Sequence, residues 1–300
     1  MSTIPTQNIY DNPAFFAAYS QLPRSQHGLA GAPEWPTLRR MVRDVQGLRV
    51  LDLGCGYGWF CRWARDHGAK SVHGIDVSER MLARAREFDE EEDQKNEKSG
   101  CCTISYERAD LDLVRLPDGG VFDLVYSNLA LHYLSDLPRL VDQIYATLAP
   151  RGRFVFSVEH PINTAPTVEH FWRRADNGEF FDPEAKNPNP NEEKAAVPAI
   201  WQLNAYSREG LRTTKWLVDD GVRKYHRTIE TYVSLLLQRG FELTELVEWA
   251  PGEELFAKKS SVGGALRTAA VFACCGEEEG EWGDLIYSMC NVHSEDSVFK

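Results

Sequence analysis

Apolar residues recur along this chain in two alternating rhythms. Leu48 to Leu53 is a near-continuous apolar run with the look of a parallel strand buried on both faces, and Val72 to Ile75 is a second short strand. Helical segments follow each: Trp59 to His67, then a stretch capped by Ser78 with Glu79 in its first turn and Met81, Leu82 and Ala85 on its apolar side. Thr103 to Tyr106 and Phe122 to Ser127 make strands three and four, the latter after a Pro117-Asp118-Gly119-Gly120 turn. Leu140, Ile144 and Leu148 mark a helix that stops at Pro150-Arg151-Gly152, and Phe154 to Val158 is strand five. Strand and helix alternating in this way imply right-handed crossovers and a parallel sheet.

The flanks are patterned differently. Asn12 reads as the cap of a helix with Pro13 at its first position, followed by Phe15, Phe16 and Tyr19. Gln21 to Trp35 is rich in Gly and Pro, and Leu38, Met41, Val42 and Val45 then recur at helical spacing. Phe88 to Gly100 is a run of Asp, Glu, Lys and Asn without apolar period, expected to be a solvated loop. From Glu159 to about Gly210 the rhythm lapses, and Asp182 to Lys194 looks like a loop. Leu211 to Leu217 and Val222 to Tyr225 flank Asp219-Asp220-Gly221 as a hairpin. Thr228 to Gln238 is helical with Gly240 as its stop, and Phe241 to Val247 and Thr268 to Ala273 read as a final antiparallel strand pair. Glu277 to Lys300 is acidic and weakly patterned.

Chemistry concentrates where the first two strands end. Strand one runs into Gly54-Cys55-Gly56-Tyr57-Gly58, a strand–turn–helix junction whose N–H groups are expected to face the crevice at the strand's carboxyl end. Its glycines are spaced Gly-x-Gly-x-Gly, not the Gly-x-Gly-x-x-Gly of dinucleotide binding, and Asp52 stands two residues before the first. A carboxylate there repels a pyrophosphate and suits a cationic amine. Asp76 closes strand two about 20 residues beyond the glycines, where a doubly wound fold holds ribose hydroxyls. Together these specify a nucleoside with a cationic tail and no phosphates, which S-adenosylmethionine is.

With those residues in hand, Tyr10 to Ala273 resembles the class I S-adenosylmethionine-dependent methyltransferases that act on small molecules. Val50 to Gly58 resembles the family's first motif, Gly74 to Ser78 its ribose-binding acid, Arg108-Ala109-Asp110-Leu111 its adenine-contacting turn, and Phe122 to Tyr133 its fourth-strand motif. The resemblance implies a Rossmann-like α/β fold: a seven-stranded sheet, mostly parallel with the last strand pair antiparallel, an N-terminal helical lid, and a cap inserted after strand five. Residues 1–46 would be the lid, 47–158 the cofactor-binding core, 159–227 the cap, 228–275 the rest of the core and 276–300 a tail, all in one domain. It also implies that Gly54, Cys55 and Gly56 contact the methionyl part, that Asp76 holds the ribose, and that Val77 and Met81 flank the adenine. Asp110, beside Ala109 and Leu111, would bond the exocyclic amine, and Asn128 and Leu129 would close the site beneath the sulfonium. S-adenosylhomocysteine would be the product.

Methyl transfer needs alignment and dryness more than acid–base chemistry, but some acceptors must lose a proton. His132 in the pocket floor and His160 just after strand five are the candidate bases, since a neutral imidazole accepts a proton near pH 7. Glu159 can orient His160 or bind a cationic acceptor. Tyr10, Tyr19, Arg24 and His27 from the lid are candidate acceptor-binding residues, as are Trp201 and His226 from the cap. Phe171, Trp172, Phe180, Phe181, Trp201 and Trp216 would add aromatic surface for a hydrophobic or aromatic acceptor.

Composition narrows the partners. The formal charge of −12 and the absence of a basic stripe argue against nucleic acid and anionic membrane. Seven scattered cysteines show no metal-ligand spacing and fit reduced thiols, and no run is long enough to span a bilayer. A cytoplasmic enzyme without a metal is expected. Ser127-Asn128-Leu129-Ala130 is not the Asn/Asp-Pro-Pro-Tyr of adenine or glutamine amide methylation. The competing reading is a protein that binds S-adenosylmethionine without transferring its methyl group.

Overall fold

The computed structural model describes residues 5–95, 102–166, 171–174, 180–181, 200–201, 205–250 and 269–276. The helices α1 (Pro13–Tyr19), α2 (Pro23–Gln26) and α3 (Trp35–Val42) lead into β1 (Arg49–Leu53), α4 (Trp59–Asp66), β2 (Ser71–Asp76), α5 (Glu79–Lys95), β3 (Ile104–Arg108) and β4 (Phe122–Asn128). After them come α6 (Leu137–Thr147), β5 (Leu148–Glu159), α7 (Pro161–Thr164), β6 (Phe171–Arg174), β7 (Phe180–Phe181), β8 (Ile200–Trp201), β9 (Gly210–Trp216), β10 (Val218–His226), α8 (Ile229–Gln238), β11 (Phe241–Trp249) and β12 (Ala269–Gly276). Seven strands form one sheet in the order β11-β12-β5-β4-β1-β2-β3. β12 is antiparallel to both neighbours, pairing Ala269 with Glu159 on one side and Trp249 on the other. Among the described strands of this sheet it is thus the one that is reversed, slotted between β5 and β11.

The sheet is apolar on both faces because successive side chains point to opposite sides. On β5, Phe154, Phe156 and Val158 join a core with α6 and α8, while Val155 joins the opposite core with α3 and α4. Phe272 and Val271 divide in the same way on β12. Burying both faces leaves the carboxyl edge of the parallel strands as the open place for polar chemistry.

Asn12 caps α1 as its sequence position suggested, accepting from the Ala14 and Phe15 N–H groups. The residues just before it act as a strap. Gln7 bonds the Gly221 carbonyl and the Arg223 N–H of the β9–β10 hairpin, while Asp11 accepts from Ser78 Oγ (2.6 Å) and the Arg80 N–H. Phe15 and Tyr19 then pack edge-on against Trp216 of β9.

Two expectations change. The acidic run from Phe88 is not a loop as far as Lys95, because α5 continues through it. Its acids are met from α4: Arg62 lies 3.2 Å from Asp89 and 3.4 Å from Glu92, and Arg65 2.7 Å from Glu92. Phe88 also seats on Trp59, with ring centroids 4.8 Å apart. The hairpin, moreover, reverses at Leu217 (φ 63°), since Trp216 already pairs with Val218. Asp219-Asp220-Gly221 falls in the register shift between Val218 and Val222. The expected loop at 182–194 and the acidic tail at 277–300 lie outside the described residues, as do the side chains of Phe171, Trp172, Phe180, Phe181 and Trp201.

Candidate active site

The turn after β1 is built by glycines in the left-handed region, with φ 79° at Gly54 and 53° at Gly56. Their roles differ. A Cβ on Gly54 would sit 2.4 Å from the Ala130 Cβ, so this glycine lets the β1 and β4 edges meet. A Cβ on Gly56 would meet nothing within 4 Å, so this glycine faces open space. The turn's N–H groups do not fan into the crevice as expected. Those of Gly54 and Cys55 both go to the Ile75 carbonyl, that of Gly58 to the Cys55 carbonyl, and that of Gly56 to Asp76 Oδ2 at 2.8 Å. A pyrophosphate would find these donors already engaged.

Two buried carboxyls flank the turn. Asp76 accepts from Gly56 on one oxygen and from the Ser78 N–H (2.8 Å) on the other. Burial nonetheless pushes it up to about 6 against the pull of those bonds, with the Asp11 charge adding to the rise. Asp52 is 2% exposed, and burial pushes it up to about 7, opposed by a 3.3 Å bond from Cys61 Sγ. Among the described residues no basic side chain pairs with either acid.

These acids open onto a cavity of about 750 Å³ at the carboxyl edge of the sheet. Of the expected cofactor residues, Asp52, Gly54, Cys55 and Gly56 line it at the turn, Asp76, Val77 and Met81 at the end of β2, Asp110 and Leu111 beyond β3, and Asn128 and Leu129 at the end of β4. Asp110 Oδ1 accepts from the Asp112 N–H, which sets that turn. Ala109 is not in the lining; it packs against the core and donates its N–H to the Asp76 carbonyl. Leu129 has φ 54°, a strained conformation for a branched side chain, held by N–H bonds to the Ser157 carbonyl and Oγ.

Of the expected acceptor residues, Tyr10, Tyr19, Arg24, His27 and Glu159 line the cavity, with His27 exposed. Tyr10 Oη lies 3.2 Å from Tyr133 Oη, joining the N-terminal segment to the 3₁₀ turn after β4. Arg24 forks onto Glu34 at 2.9 and 3.3 Å. His160 and His226 are not brought to the cavity. His160 caps α7 through Nδ1 and bonds Glu248 through Nε2 at 2.6 Å. His226 is fully buried, bonded to Thr164 Oγ1 and the Tyr206 carbonyl, and burial lowers its pKa. Both imidazoles have both nitrogens engaged: His160 links the start of α7 to Glu248 of β11, and His226 links β10 to Thr164 and Tyr206. The side chain of Trp201 lies outside the described residues.

His132 does line the cavity, 3% exposed, in a turn of 3₁₀ helix, Leu131–Tyr133. Its Nδ1 accepts the Glu159 N–H at 3.2 Å, so the neutral ring carries its proton on Nε2, which lies 3.9 Å from Glu159 Oε2. Glu159 also receives a hydrogen bond from Lys224 Nζ, a buried lysine 5.3 Å from the Trp216 ring centroid. Lys224 and Glu34 were not singled out in the sequence. Lys224 alternates in a polar stretch of strand, and nothing local distinguishes it.

Fold and site define a class: an α/β protein that takes a nucleoside with a cationic tail at the switch between β1 and β4. Comparison with known proteins carries this further. Residues 26–246 match the family model described as Methyltransferase domain. The crystal structure of an S-adenosylmethionine dependent methyltransferase from Mesorhizobium loti is 39% identical, covering 83% of this chain and 100% of that one at a TM-score of 0.64. An uncharacterised protein of Haemophilus influenzae is 29% identical over 80% of this chain and 85% of its own length. A malonyl-[acyl-carrier protein] O-methyltransferase of Erwinia pyrifoliae is 34% identical over 48% of this chain, which spans half (50%) of that relative. The chain belongs to the class I S-adenosylmethionine-dependent methyltransferases, and S-adenosylmethionine is its cofactor. The residues present fit that group: open space at Gly56, buried acids without a basic partner among the described residues for hydroxyls and an amine, and a turn in which the N–H groups of all three glycines and of Cys55 are already engaged.

Proposed function

We propose that the chain transfers the methyl group of S-adenosylmethionine to an oxygen, nitrogen or carbon of a small acceptor that is mostly apolar or aromatic. One observation carries this reading. The cavity that begins at the glycine turn also takes in Tyr10, Tyr19, Tyr133 and Trp216, and beside them the buried Glu159, Lys224 and His132. When bound, the cofactor supplies a methyl group on a sulfonium sulfur, already a good leaving group. In this reading Asp76 holds the ribose, Val77, Met81, Asp110 and Leu111 hold the adenine, and Asp52 pairs with the amine. Asn128 and Leu129 form the floor, while the aromatic wall excludes water and orients the acceptor.

Because Nδ1 of His132 is engaged by the main chain, the ring offers an N–H and is better suited to orient an acceptor than to deprotonate it. Glu159, which accepts from Lys224, is the carboxyl group able to receive a proton or a further hydrogen bond. The malonyl-[acyl-carrier protein] O-methyltransferase relative makes oxygen acceptors the first to try. Among the described residues no helix is long and apolar enough to cross a membrane, and the described cysteines are free thiols; a cytoplasmic setting is the reading they support. Calorimetry with S-adenosylhomocysteine tests the premise, with Asp76→Ala expected to weaken binding by roughly 1.5–3 kcal/mol per lost charged hydrogen bond. Label transfer from methyl-labelled cofactor to small carboxylic acids, phenols and amines then identifies the acceptor class. Transfer confined to large polyanions would refute the proposal.

A further inference from the structure

We infer that Arg24, from the lid, belongs to the cofactor rather than the acceptor: its guanidinium receives the α-carboxylate of the methionyl tail, whose ammonium goes to Asp52. This rests on the function proposed above and deepens it. A free amino-acid tail carries both charges on one carbon, so its pocket needs an acid and a base side by side. Asp52, Arg24 and Glu34 all line the cavity beside the glycine turn. Among the described lining residues the other lysine or arginine is Lys224, which is committed to Glu159 against Trp216.

Arg24 is held ready for this. Glu34 is 2% exposed and takes one N–H from each terminal nitrogen of Arg24, two of the five donors a guanidinium has. The same Glu34 accepts from Asn128 Nδ2 at 3.4 Å, and Asn128 Oδ1 accepts from Ser157 Oγ at 2.5 Å. The guanidinium is thereby fixed to the carboxyl end of β4, next to the turn that follows β1. Gly31 makes the short α2 pack tightly, since a Cβ there would lie 2.1 Å from the Pro23 carbonyl oxygen.

A second observation is independent of the ion pair. Tyr126 Oη, on a residue 1% exposed and lining the cavity, has no hydrogen-bond partner among the described residues. Tyr126 lines the same cavity as Asp52, Glu34 and Arg24 and feels the charge of all three, so it shares the pocket assigned to the tail. A buried hydroxyl without a partner is unfavourable, and a carboxylate bridging Arg24 and Tyr126 would satisfy it.

The test compares two nucleosides that differ in the tail alone: S-adenosylhomocysteine and 5′-methylthioadenosine, which lacks the amino acid. Their affinities are measured by calorimetry for the wild type, Arg24→Met, Arg24→Lys and Tyr126→Phe. Arg24→Met is expected to weaken S-adenosylhomocysteine by about 10- to 100-fold and 5′-methylthioadenosine by less than about twofold, with partial recovery in Arg24→Lys and a smaller selective loss in Tyr126→Phe. Retained binding of 5′-methylthioadenosine shows that each variant is folded. An equal loss for both nucleosides would make Arg24 a lid latch and overturn the inference, as would no loss for either. A wild type that binds neither nucleoside would instead bring down the cofactor assignment itself.

Discussion

Asp52→Asn should stabilise the empty protein and weaken its hold on cofactor. Asp52 is buried and, among the described residues, ion-paired to no basic side chain, and burial moves its carboxyl from 3.8 to about 7. At about 1.36 kcal/mol per pKa unit, keeping it ionised above pH 7 costs the fold up to roughly 4 kcal/mol. The sign follows from proton counting. Between pH ~4 and 7 the folded state binds a proton here that the unfolded chain has lost, so wild-type stability falls as pH rises through this window and levels off above it. Asparagine removes the titration. The variant should match the wild type near pH 4 and exceed it by about 2–4 kcal/mol at pH 8, the lower figure allowing for the amide's own desolvation. Urea unfolding at pH 4, 6 and 8 reads this directly. At pH 8 the same variant should bind S-adenosylhomocysteine about 10- to 100-fold less tightly, since an ammonium gains little from a neutral amide. A variant no more stable than wild type at pH 8, or a difference that does not shrink toward pH 4, would refute the argument that Asp52 is an unpaired buried acid held for a cation.

Other expectations follow from the same geometry. Gly54→Ala should unfold the turn, because its Cβ would collide with Ala130, whereas Gly56→Ala should stay within about 1–2 kcal/mol of wild type by thermal unfolding yet bind cofactor at least about tenfold more weakly. Lys224→Met leaves Glu159 buried without its ammonium and should cost about 3–5 kcal/mol in urea unfolding, most of it recovered in the Lys224→Met/Glu159→Leu double variant. His160→Ala removes the α7 cap and the Glu248 bond, so it should cost about 1–2 kcal/mol of stability while cofactor affinity by calorimetry stays unchanged.

Much of the cofactor side was legible because it depends on near neighbours in sequence. The run from Val50 to Leu53 is buried on both faces, so it is apolar everywhere except at Asp52, which stands out for that reason; Gly54 and Gly56 need positive φ; and Asp76 ends β2 two residues before the Ser78 N–H it accepts. The acceptor side was not, because its groups meet across long stretches of chain. His132, His160 and His226 look alike as candidates. Which of them faces the cavity is decided by where β5 and β10 place the cap.

Periodicity and glycine spacing alone therefore determined the seven strands, the strand–turn–helix junction and the two acids, and so the kind of cofactor. Tertiary structure decided the rest. Arg62 and Arg65 on α4 gave partners to the acids of α5 and kept that helix going past Phe88. Lys224 found Glu159 across 65 residues, and Arg24 was fixed to the β4 edge through Glu34 and Asn128. A charge has no local period, and its effect depends on the partner and the burial that folding brings to it.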